Sequence, residues 1–484
     1  MQRQWHPWVR SLAATSTLAG LLLAGGGLMA QTPAPGGPAA PGAPASPVVP
    51  PAETPPDESV TLISGPKGLA FRLVEQSGDQ RRGGGGLTLA APGPNDTWTP
   101  LLQIFPKEPG VSARDGRVAF GPGGEIALVY RWWGHSPRTK QLRVVVSRDG
   151  GRTWSQPTTQ IDGVGKAFDP KLAWLGAKGL VVVWGDERRG NRLFDVYARR
   201  SLDGGRTWDA EQMLSRFPKI GPNDLHTRPH VLSDGDRVWV LWLGLRGMTS
   251  HLFMNRSTDG GRTWSDPALV TADSRSVFGE TLLRVDKHML LVWHDAGGGQ
   301  PDRIYASTSS DDGATWTAPV RVDHLPDGGP AAASSSVLLG EDGEALVAWQ
   351  DARNAREDIF LSRSADWGRT WAKEDQRMDM DEPGTAISRF PRLAKAPDGR
   401  VALAWEDDRA GHEAVYLRVR SAGERPVWGP EILVAPSTQR VAARVPTLAW
   451  GQRDVHVLWH VWDHTLGVSS VSKRVAGRTL SLKP

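Results

Sequence analysis

Short runs of alternating apolar and polar residues recur along most of the chain, and they predict strands. In one stretch the runs are Pro170–Trp174, Leu180–Trp184, Asp195–Arg199 and Ala210–Leu214, separated by polar turns. No segment shows the apolar period of 3.6 residues that is typical of an amphipathic helix. The pattern therefore predicts an all-β protein built from units of four short strands.

An eight-residue string, Ser-x-Asp-x-Gly-x-Thr-Trp, occurs five times, beginning at residues 147, 201, 257, 309 and 364. Its Asp-Gly or Gly-Gly pair can adopt positive φ, as a tight hairpin between the third and fourth strands requires. The tryptophan that follows can pack back on the sheet. A string that occurs in five units is not expected to form five active sites. We therefore predict a structural role for its aspartates and tryptophans, which are Asp149, Trp154, Asp203, Trp208, Asp259, Trp264, Asp311, Trp316, Asp366 and Trp371.

A second marker gives the number of units. The second strand of each unit ends in a tryptophan, and these are Trp132, Trp184, Trp242, Trp293, Trp349, Trp405 and Trp459. Four-stranded units at this regular spacing favour the blades of a β-propeller. Seven blades are expected. Six or eight stay open, since Val60–Phe105 adds further strand-like runs.

The repeated string resembles the Asp-box, or BNR repeat, of sialidases and related secreted propellers, over about Ala113 to Pro484. The resemblance implies a propeller that recognises a glycan or another ligand, with exo-sialidase hydrolysis as one activity. The alternative is a non-catalytic binding or assembly propeller in which the Asp boxes are purely structural. Any site is expected on the face opposite the Asp boxes, near the central axis.

The resemblance also suggests candidate site residues. Ser388-Arg389-Phe390-Pro391 and Ala443-Arg444-Val445-Pro446 are similar to the sialidase Phe/Tyr-Arg-Ile-Pro motif, and Arg228 precedes Pro229. In sialidases three arginines bind the substrate carboxylate, so Arg228, Arg389 and Arg444 become carboxylate-binding candidates, with a repeat position as the alternative. Sialidases also use a tyrosine nucleophile paired with a glutamate, for which Tyr130 and Glu280 are the candidates.

Other polar positions are interpreted as structural. Carboxylates and arginines that follow the second-strand tryptophans, such as Asp186 with Arg188, are expected to brace their own hairpins. His456, His460 and His464 are four residues apart, which on a strand is about 13 Å and too far for one metal ion. We therefore predict neither a metal nor a cofactor. Trp133 and Trp462 remain candidates for stacking on a ligand.

The composition and the N-terminal residues indicate which partners and which cellular location to expect. The 484 residues include no cysteine, and the formal net charge is only +4, which does not indicate a nucleic-acid partner. Residues 1–30 combine Arg3 and Arg10 with a short apolar run and predict a signal peptide, with an uncleaved anchor as the alternative. Residues 31–58 are rich in proline and are expected to form a disordered linker, and residues 59–484 are expected to form the propeller. The expected product is periplasmic or secreted, with no membrane span after cleavage and with a glycan or protein ligand outside the cytoplasm.

Overall fold

The computed structural model describes residues 58–481 apart from gaps at 66–68, 77–84, 94–96, 109, 136–137, 159–160, 164, 191–192, 217–224, 247–248, 272–273, 275, 297–299, 439, 452–453 and 464–471. Every regular element in these residues is a β-strand, and the strands form eight sheets. The predicted signal peptide and nearly all of the predicted linker lie outside the described residues. The membrane search found no helix in the described part that is long and apolar enough to span a bilayer.

Each sheet is one blade, and neighbouring strands within it are antiparallel. The strands are β1 Glu58–Ser64, β2 Ala70–Gln76, β3 Gly86–Pro92 and β4 Trp98–Ile104 in blade 1; β5 Val111–Phe120, β6 Ile126–His135 and β7 Arg138–Ser147 in blade 2; β8 Ala167–Leu175, β9 Gly179–Asp186, β10 Asp195–Ser201 and β11 Gln212–Met213 in blade 3; β12 Leu225–Asp234, β13 Arg237–Arg246, β14 Thr249–Ser257 and β15 Ala268–Leu269 in blade 4; β16 Val277–Val285, β17 His288–Asp295, β18 Arg303–Ser309 and β19 Val320–Arg321 in blade 5; β20 Ala333–Leu339, β21 Ala345–Asp351, β22 Asp358–Ser364 and β23 Gln376–Arg377 in blade 6; β24 Ser388–Lys395, β25 Val401–Asp407, β26 Ala414–Arg420 and β27 Ile432–Ala435 in blade 7; and β28 Val441–Trp450, β29 Asp454–Asp463 and β30 Ser472–Ser481 in blade 8.

The all-β propeller is confirmed, but the expected number of seven blades is wrong and the alternative of eight is right. The additional sheet is blade 1, which carries neither an Asp box nor a tryptophan at the end of its second strand. Both sequence markers therefore miss it. In the described residues six blades have four strands, while blades 2 and 8 have three.

The blades close into a ring because each sheet buries apolar side chains against the next one. Blades 2 and 3, for example, share a cluster that includes Val144 and Val182, and corresponding clusters join the later pairs. Blade 1 packs on blade 2 through Leu73. Leu62 and Ala449 belong to the cluster that joins blade 1 to blade 8. Within the described residues, the first and the last blade therefore pack against each other.

The second-strand tryptophans lie in the middle of these interfaces. Those of blades 3 to 7 are completely buried. Each stacks on an aromatic ring of its own third strand, and the ring centroids of Trp184 and Tyr197, for example, are 6.1 Å apart. The indole Nε1 of Trp349 donates a hydrogen bond to Asp351 Oδ2 at 2.8 Å. Burial of such a large side chain against the preceding blade makes this position a main source of inter-blade stability.

Four of the five Asp boxes form the hairpins between the third and fourth strands, and the first one follows the third strand of blade 2. In blade 4, Asp259 accepts hydrogen bonds from Thr263 N at 2.9 Å and from Thr263 Oγ1 at 2.6 Å, and Ser257 Oγ donates to the same carboxylate at 2.8 Å. The box aspartates of the other four blades bind in the same way. These contacts stay within one turn, so the box aspartates hold the hairpin and do not face the axis.

The tryptophan packing predicts a stability difference between two similar substitutions. Trp349→Phe leaves a cavity in a completely buried interface and removes the hydrogen bond to Asp351. We therefore expect the free energy of unfolding to fall by about 2 kcal/mol. Trp428→Phe is the control, because Trp428 is only half-buried. Urea denaturation followed by tryptophan fluorescence would measure both. Equal losses for the two variants would contradict the role given to the second-strand position.

Candidate functional site

The first strands of blades 2 to 8 share a β-bulge in their first half. The residue at each bulge has a φ between 45° and 63°, and these residues are Asp115, Asp169, Arg228, Gly279, Ser334, Phe390 and Val445. Most successive first strands contact each other, so they are the innermost strands of the propeller. We define the bulge ring as residues 114–117, 168–171, 227–230, 278–281, 333–336, 389–392 and 444–447. It lies toward the face opposite the Asp boxes.

All three candidate arginines lie in the bulge ring, but they are not equivalent. Arg389 and Arg444 immediately precede the bulge residue of their strands, whereas Arg228 is itself the bulge residue, with φ 56°. Alignment on the arginines, instead of on the prolines that follow the bulge residues, therefore misplaces Arg228 by one position. Arg228 is on blade 4, three blades away from Arg389.

The three arginines also have different carboxylate partners. Arg389 Nη2 donates to both oxygens of Glu357, at 2.9 and 3.0 Å. Arg444 lies 3.7 Å from Glu406 and 3.5 Å from Glu413. Arg228 Nε approaches Glu280 Oε1 at 3.4 Å. Among the described residues the three guanidinium groups thus form separate ion pairs and share no single carboxylate.

Glu280 is the second candidate that the structure places in the ring. Its side chain is fully buried, and Oε1 also lies 3.4 Å from His230 Nε2 of the preceding blade. Burial alone would raise the pKa of Glu280. The nearby ring of His230 and the charge of Arg228 outweigh burial and lower this pKa below its ordinary value. Glu280 is therefore an ionised carboxylate next to Arg228 and His230.

Tyr130 does not lie in the bulge ring. Its side chain is completely buried in the cluster between blades 1 and 2, where burial raises the pKa of the phenol. The other three tyrosines, Tyr197, Tyr305 and Tyr416, stack on second-strand tryptophans. These four are all the tyrosines of the chain. The structure therefore brings Arg228 and Glu280 together, and it leaves Tyr130 apart from both.

Several polar side chains of the second strands tie one blade to the next. Glu75, Gln350 and Glu406 each accept a hydrogen bond from the backbone N–H of the following bulge residue, at 2.8 to 2.9 Å. At the corresponding place in blade 5, His294 Nε2 pairs with Ser335 Oγ at 2.8 Å. Burial lowers the pKa of His294 to about 4. Because this link recurs around the ring, it is an element of the scaffold.

The carboxylates that follow the second-strand tryptophans are structural in the same sense. Arg188 donates from N, Nε and Nη2 to Asp186 and also binds Glu211 at the start of the fourth strand. The same arrangement recurs in blades 6 and 7. The guanidinium of Arg188 also covers the Tyr197 ring, 3.9 Å from its centroid. These contacts brace the hairpins, as expected from the sequence.

Aromatic side chains are the site feature that the sequence analysis missed. Phe168, Phe278 and Phe390 all belong to the bulge ring and are half-buried. They lie on blades 3, 5 and 7, and recognising them requires the position of the bulge. Trp133 and Trp462, which the sequence favoured for stacking, have arginines over their rings: Arg114 lies 4.6 Å from the centroid of Trp133, and Arg444 lies 4.5 Å from that of Trp462.

One group in the described residues has the donor set of a metal site. Asp358, Asp379 and Asp381 bring carboxylate oxygens within 4.8 Å of one another. Arg377 pairs with all three, and Asp379 Oδ1 also accepts the backbone N–H of Ile359. An arginine held among the carboxylates does not fit a cation site. His456 and His460 lie on β29, and His464 lies outside the described residues.

The sequence profile of the BNR repeat-like domain matches residues 93–276 and 179–403, which together span more than half of the 484 residues. The chain belongs to this family. A sialidase of Micromonospora viridifaciens is 27% identical to this BNR propeller over 237 residues, which are 42% of this chain and 35% of that protein. The chain thus matches about a third of the length of this curated relative.

Solved structures with a likeness to the BNR propeller include a protein of unknown function from Dyadobacter fermentans, with 17% identity, a TM-score of 0.40, and coverage of 77% of this chain and 95% of that one. An α-L-arabinofuranosidase of Fusarium graminearum, in complex with arabinobiose, has 18% identity, a TM-score of 0.39, and coverage of 63% and 92%. With TM-scores this low, these likenesses carry no weight for function.

The buried His294 predicts a pH dependence of stability. Its pKa is lowered from 6.5 to about 4 in the folded protein, so only the unfolded chain takes up a proton between these values. The neutral ring thus stabilises the BNR propeller by about 3 kcal/mol at neutral pH, and this is lost as the pH falls from 6.5 to 4.

The test is denaturant unfolding at several pH values, together with NMR titration of the imidazole. His294→Gln should remove this part of the pH dependence while keeping the fold, since Gln350 occupies the corresponding position in blade 6. His412→Gln is the control. An imidazole of His294 that titrates at its ordinary value near 6.5 would contradict the assignment.

Proposed function

We propose that this chain is an exported glycan-binding propeller that holds its ligand at the bulge ring and does not hydrolyse sialosides by a tyrosine mechanism. One observation carries the proposal: the ring contains both half-buried phenylalanines and charged side chains, while all four tyrosines are packed on the blades. The basic and apolar N-terminal pattern supports export to the periplasm or the medium, where a glycan is the expected partner.

The chemistry of the ring suits a carbohydrate. A sugar ring presents C–H groups on one face, which pack against an aromatic side chain, and hydroxyl groups at its edge, which need hydrogen-bond partners. Phe278 and Phe390 would supply the first kind of contact. Arg228 and Arg389, each with a side chain 34% exposed, would supply the second. A binding site with aromatic contacts and a few polar groups is the usual form of a ligand site.

The same geometry argues against the sialidase mechanism. A tyrosine nucleophile must reach the anomeric carbon, and the nearest glutamate must lie within hydrogen-bond distance of its oxygen. Tyr130 is completely buried in the interface of blades 1 and 2, whereas Glu280 is on blade 5. Catalysis by this pair would require the unpacking of a blade interface.

Two assays on the same protein distinguish glycan binding from sialoside hydrolysis. We expect no turnover of a fluorogenic sialoside by the wild-type chain, and we expect calorimetric binding of at least one member of a set of neutral and acidic oligosaccharides. Phe278→Ala and Phe390→Ala should weaken that binding at least tenfold, since each removes an aromatic contact. Leu202→Ala is the control, because Leu202 is 59% exposed on an Asp-box loop. Absence of binding throughout the set would overturn the proposal.

Exo-sialidase hydrolysis is the second candidate, favoured by the match to a sialidase. It predicts turnover of the fluorogenic sialoside that is lost in Arg389→Ala. Turnover that survives in Tyr130→Phe but not in Arg389→Ala would show a hydrolase that uses a different nucleophile, and it would replace the binding proposal.

A further inference from the structure

Three aspartates surround one arginine where blade 6 leads into blade 7. Arg377 Nε lies 3.2 Å from an oxygen of Asp358 and 3.2 Å from an oxygen of Asp379, and Arg377 Nη2 pairs with Asp381. The side chains of Asp358 and Asp379 are fully buried. Because one guanidinium compensates a single negative charge, three ionised carboxylates at this place would repel one another.

The other charged groups around this cluster do not remove the excess of negative charge. Asp407 is bound by Arg409, which also pairs with Glu431 and lies 3.8 Å from Asp381. Arg418 donates to the carbonyl of the residue before Asp379. Within the described residues the cluster thus has five carboxylates and three guanidinium groups, which are Asp358, Asp379, Asp381, Asp407 and Glu431 with Arg377, Arg409 and Arg418.

The hydroxyl of Ser388 requires a proton on one of these carboxylates. Ser388 Oγ lies 2.9 Å from Asp379 Oδ2 and 2.8 Å from Asp407 Oδ2, and all three residues are buried. A hydroxyl has one hydrogen, so it donates to one carboxylate, and the second contact is a hydrogen bond only if a protonated carboxyl donates to Oγ. Hydrogen bonds from Arg409 outweigh burial and lower the pKa of Asp407. The proton is therefore assigned to Asp379.

The surroundings of Asp379 favour its neutral form. Burial and the negative charge of Asp358 raise the pKa of Asp379 from 3.8 to about 7, against the opposing effects of Arg377 and Ser388. Between these two values the folded chain keeps a proton that the unfolded chain has lost, so stability falls as the pH rises from 3.8 to about 7. Asp379 thus changes its charge close to neutral pH.

The repeat does not require this arrangement. Where blade 6 has Asp358 and Asp379, the preceding blades have Asp195 and Ser215, His251 and Thr271, and Arg303 and Asp323. In each pair the second residue accepts a backbone N–H of the third strand, and only this hydrogen bond is repeated. At the position of Ser388, two residues before the bulge residue, the other blades with a bulge have alanine, valine or histidine. The two neighbouring aspartates and the bridging hydroxyl are thus specific to blades 6 and 7.

Ser388 connects this cluster with the bulge ring. It directly precedes Arg389 and Phe390, and its backbone N–H donates to the carbonyl of Glu357 at 2.6 Å. The carboxylate of the same Glu357 binds Arg389. Asp358 also accepts a backbone N–H of the loop that leads to Ser388, at 3.3 Å. The cluster therefore holds the segment that places two side chains of the ring.

We propose that Asp379 and Ser388 form a pH-sensitive element that controls glycan binding at blade 7. With a proton on Asp379, the hydroxyl of Ser388 links blade 6 to blade 7, and the loop before it holds Arg389 and Phe390 in the ring. Loss of the proton leaves mutually repelling carboxylates around Arg377 and loosens this loop, so the ligand is held less tightly above neutral pH. Asp379 is a positioning residue, and the inference rests on the proposed glycan binding.

Asp379→Asn tests the proton without any ligand. Asparagine has the shape of a protonated carboxyl, since its oxygen can accept the N–H of Ile359 and its amide can donate to Ser388. We therefore expect a higher urea midpoint than that of the wild type at about pH 8, above the pKa of Asp379. Asp323→Asn is the matched control. Asp323 accepts the same repeated hydrogen bond in blade 5 but is paired with Arg321, so its variant should have a lower midpoint. Lower midpoints for both variants would overturn the assignment of the proton.

Infrared spectroscopy observes the proton directly. The difference between the wild type and Asp379→Asn at about pH 6 should contain the C=O stretch of a protonated carboxyl, and this band should disappear by about pH 8. A difference spectrum without the band at about pH 6 would also overturn the assignment.

Calorimetric titration of the full chain tests the effect on the ligand. The probes are dextran and arabinan oligosaccharides and an oligogalacturonate, none of which changes its charge between about pH 6 and about pH 8. We expect wild type and Asp323→Asn to bind roughly fivefold more weakly at the higher pH, and Asp379→Asn to bind equally at both. The same pH profile for wild type and Asp379→Asn would overturn the control of binding.

Failure of this inference is distinguishable from failure of the proposed function. If none of the oligosaccharides binds at about pH 6, the proposed function fails and the control of binding fails with it. The midpoints and the infrared band then still decide whether Asp379 holds the proton. Binding that is independent of pH in the wild type would leave the proposed function intact and overturn the inference.

Discussion

Burial of both faces of every blade is the constraint on which the structure depends. The central strands carry apolar side chains on alternate sides, and every residue of β9, β21 and β25 is buried. A single twisted sheet cannot cover both of its faces, so each blade needs a neighbour on either side, and only a closed ring supplies one everywhere. The tryptophans of the second strands are among the largest side chains that this packing buries completely. Closure then fixes the first strands around a common axis, where their polar residues must share a confined space.

That confinement explains why the bulge ring is so rich in ion pairs. Each first strand of blades 2 to 8 bulges in its first half, and the bulge turns side chains toward the neighbouring blade. Acidic residues such as Glu357 and Glu413 meet arginines of the next blade there, and backbone N–H groups of the bulges meet Glu75 and Glu406. Most of these contacts link blades in a repeated way. They account for many of the charged residues that the sequence alone would offer as an active site.

The features that could be predicted from sequence are those specified within a single unit. An Asp box is a local turn in which the threonine donates a hydrogen bond to the aspartate, so eight consecutive residues are enough to recognise it. Blade 1 lacks this turn, so the sequence offers an eighth blade only as an alternative. The partners of the arginines could not be predicted, because they come from other blades: Arg389 binds Glu357, 32 residues earlier. Tyr130 was singled out because it is unusual, yet it occupies the position of the buried Val182 in blade 3.

The repeat itself provides a criterion for separating scaffold from site in such a protein. A polar residue that recurs at the same position of several blades is explained by the fold, as Asp186 is by its counterparts Asp351 and Asp407. A buried polar residue that replaces proline at a repeat position is not explained in this way. Glu280 is such a residue, and in the described part of the chain its carboxylate approaches Arg228 and His230, which are themselves partly exposed. Because folding gains little from a buried charge with imperfect hydrogen bonds, the repeat and its packing do not account for Glu280.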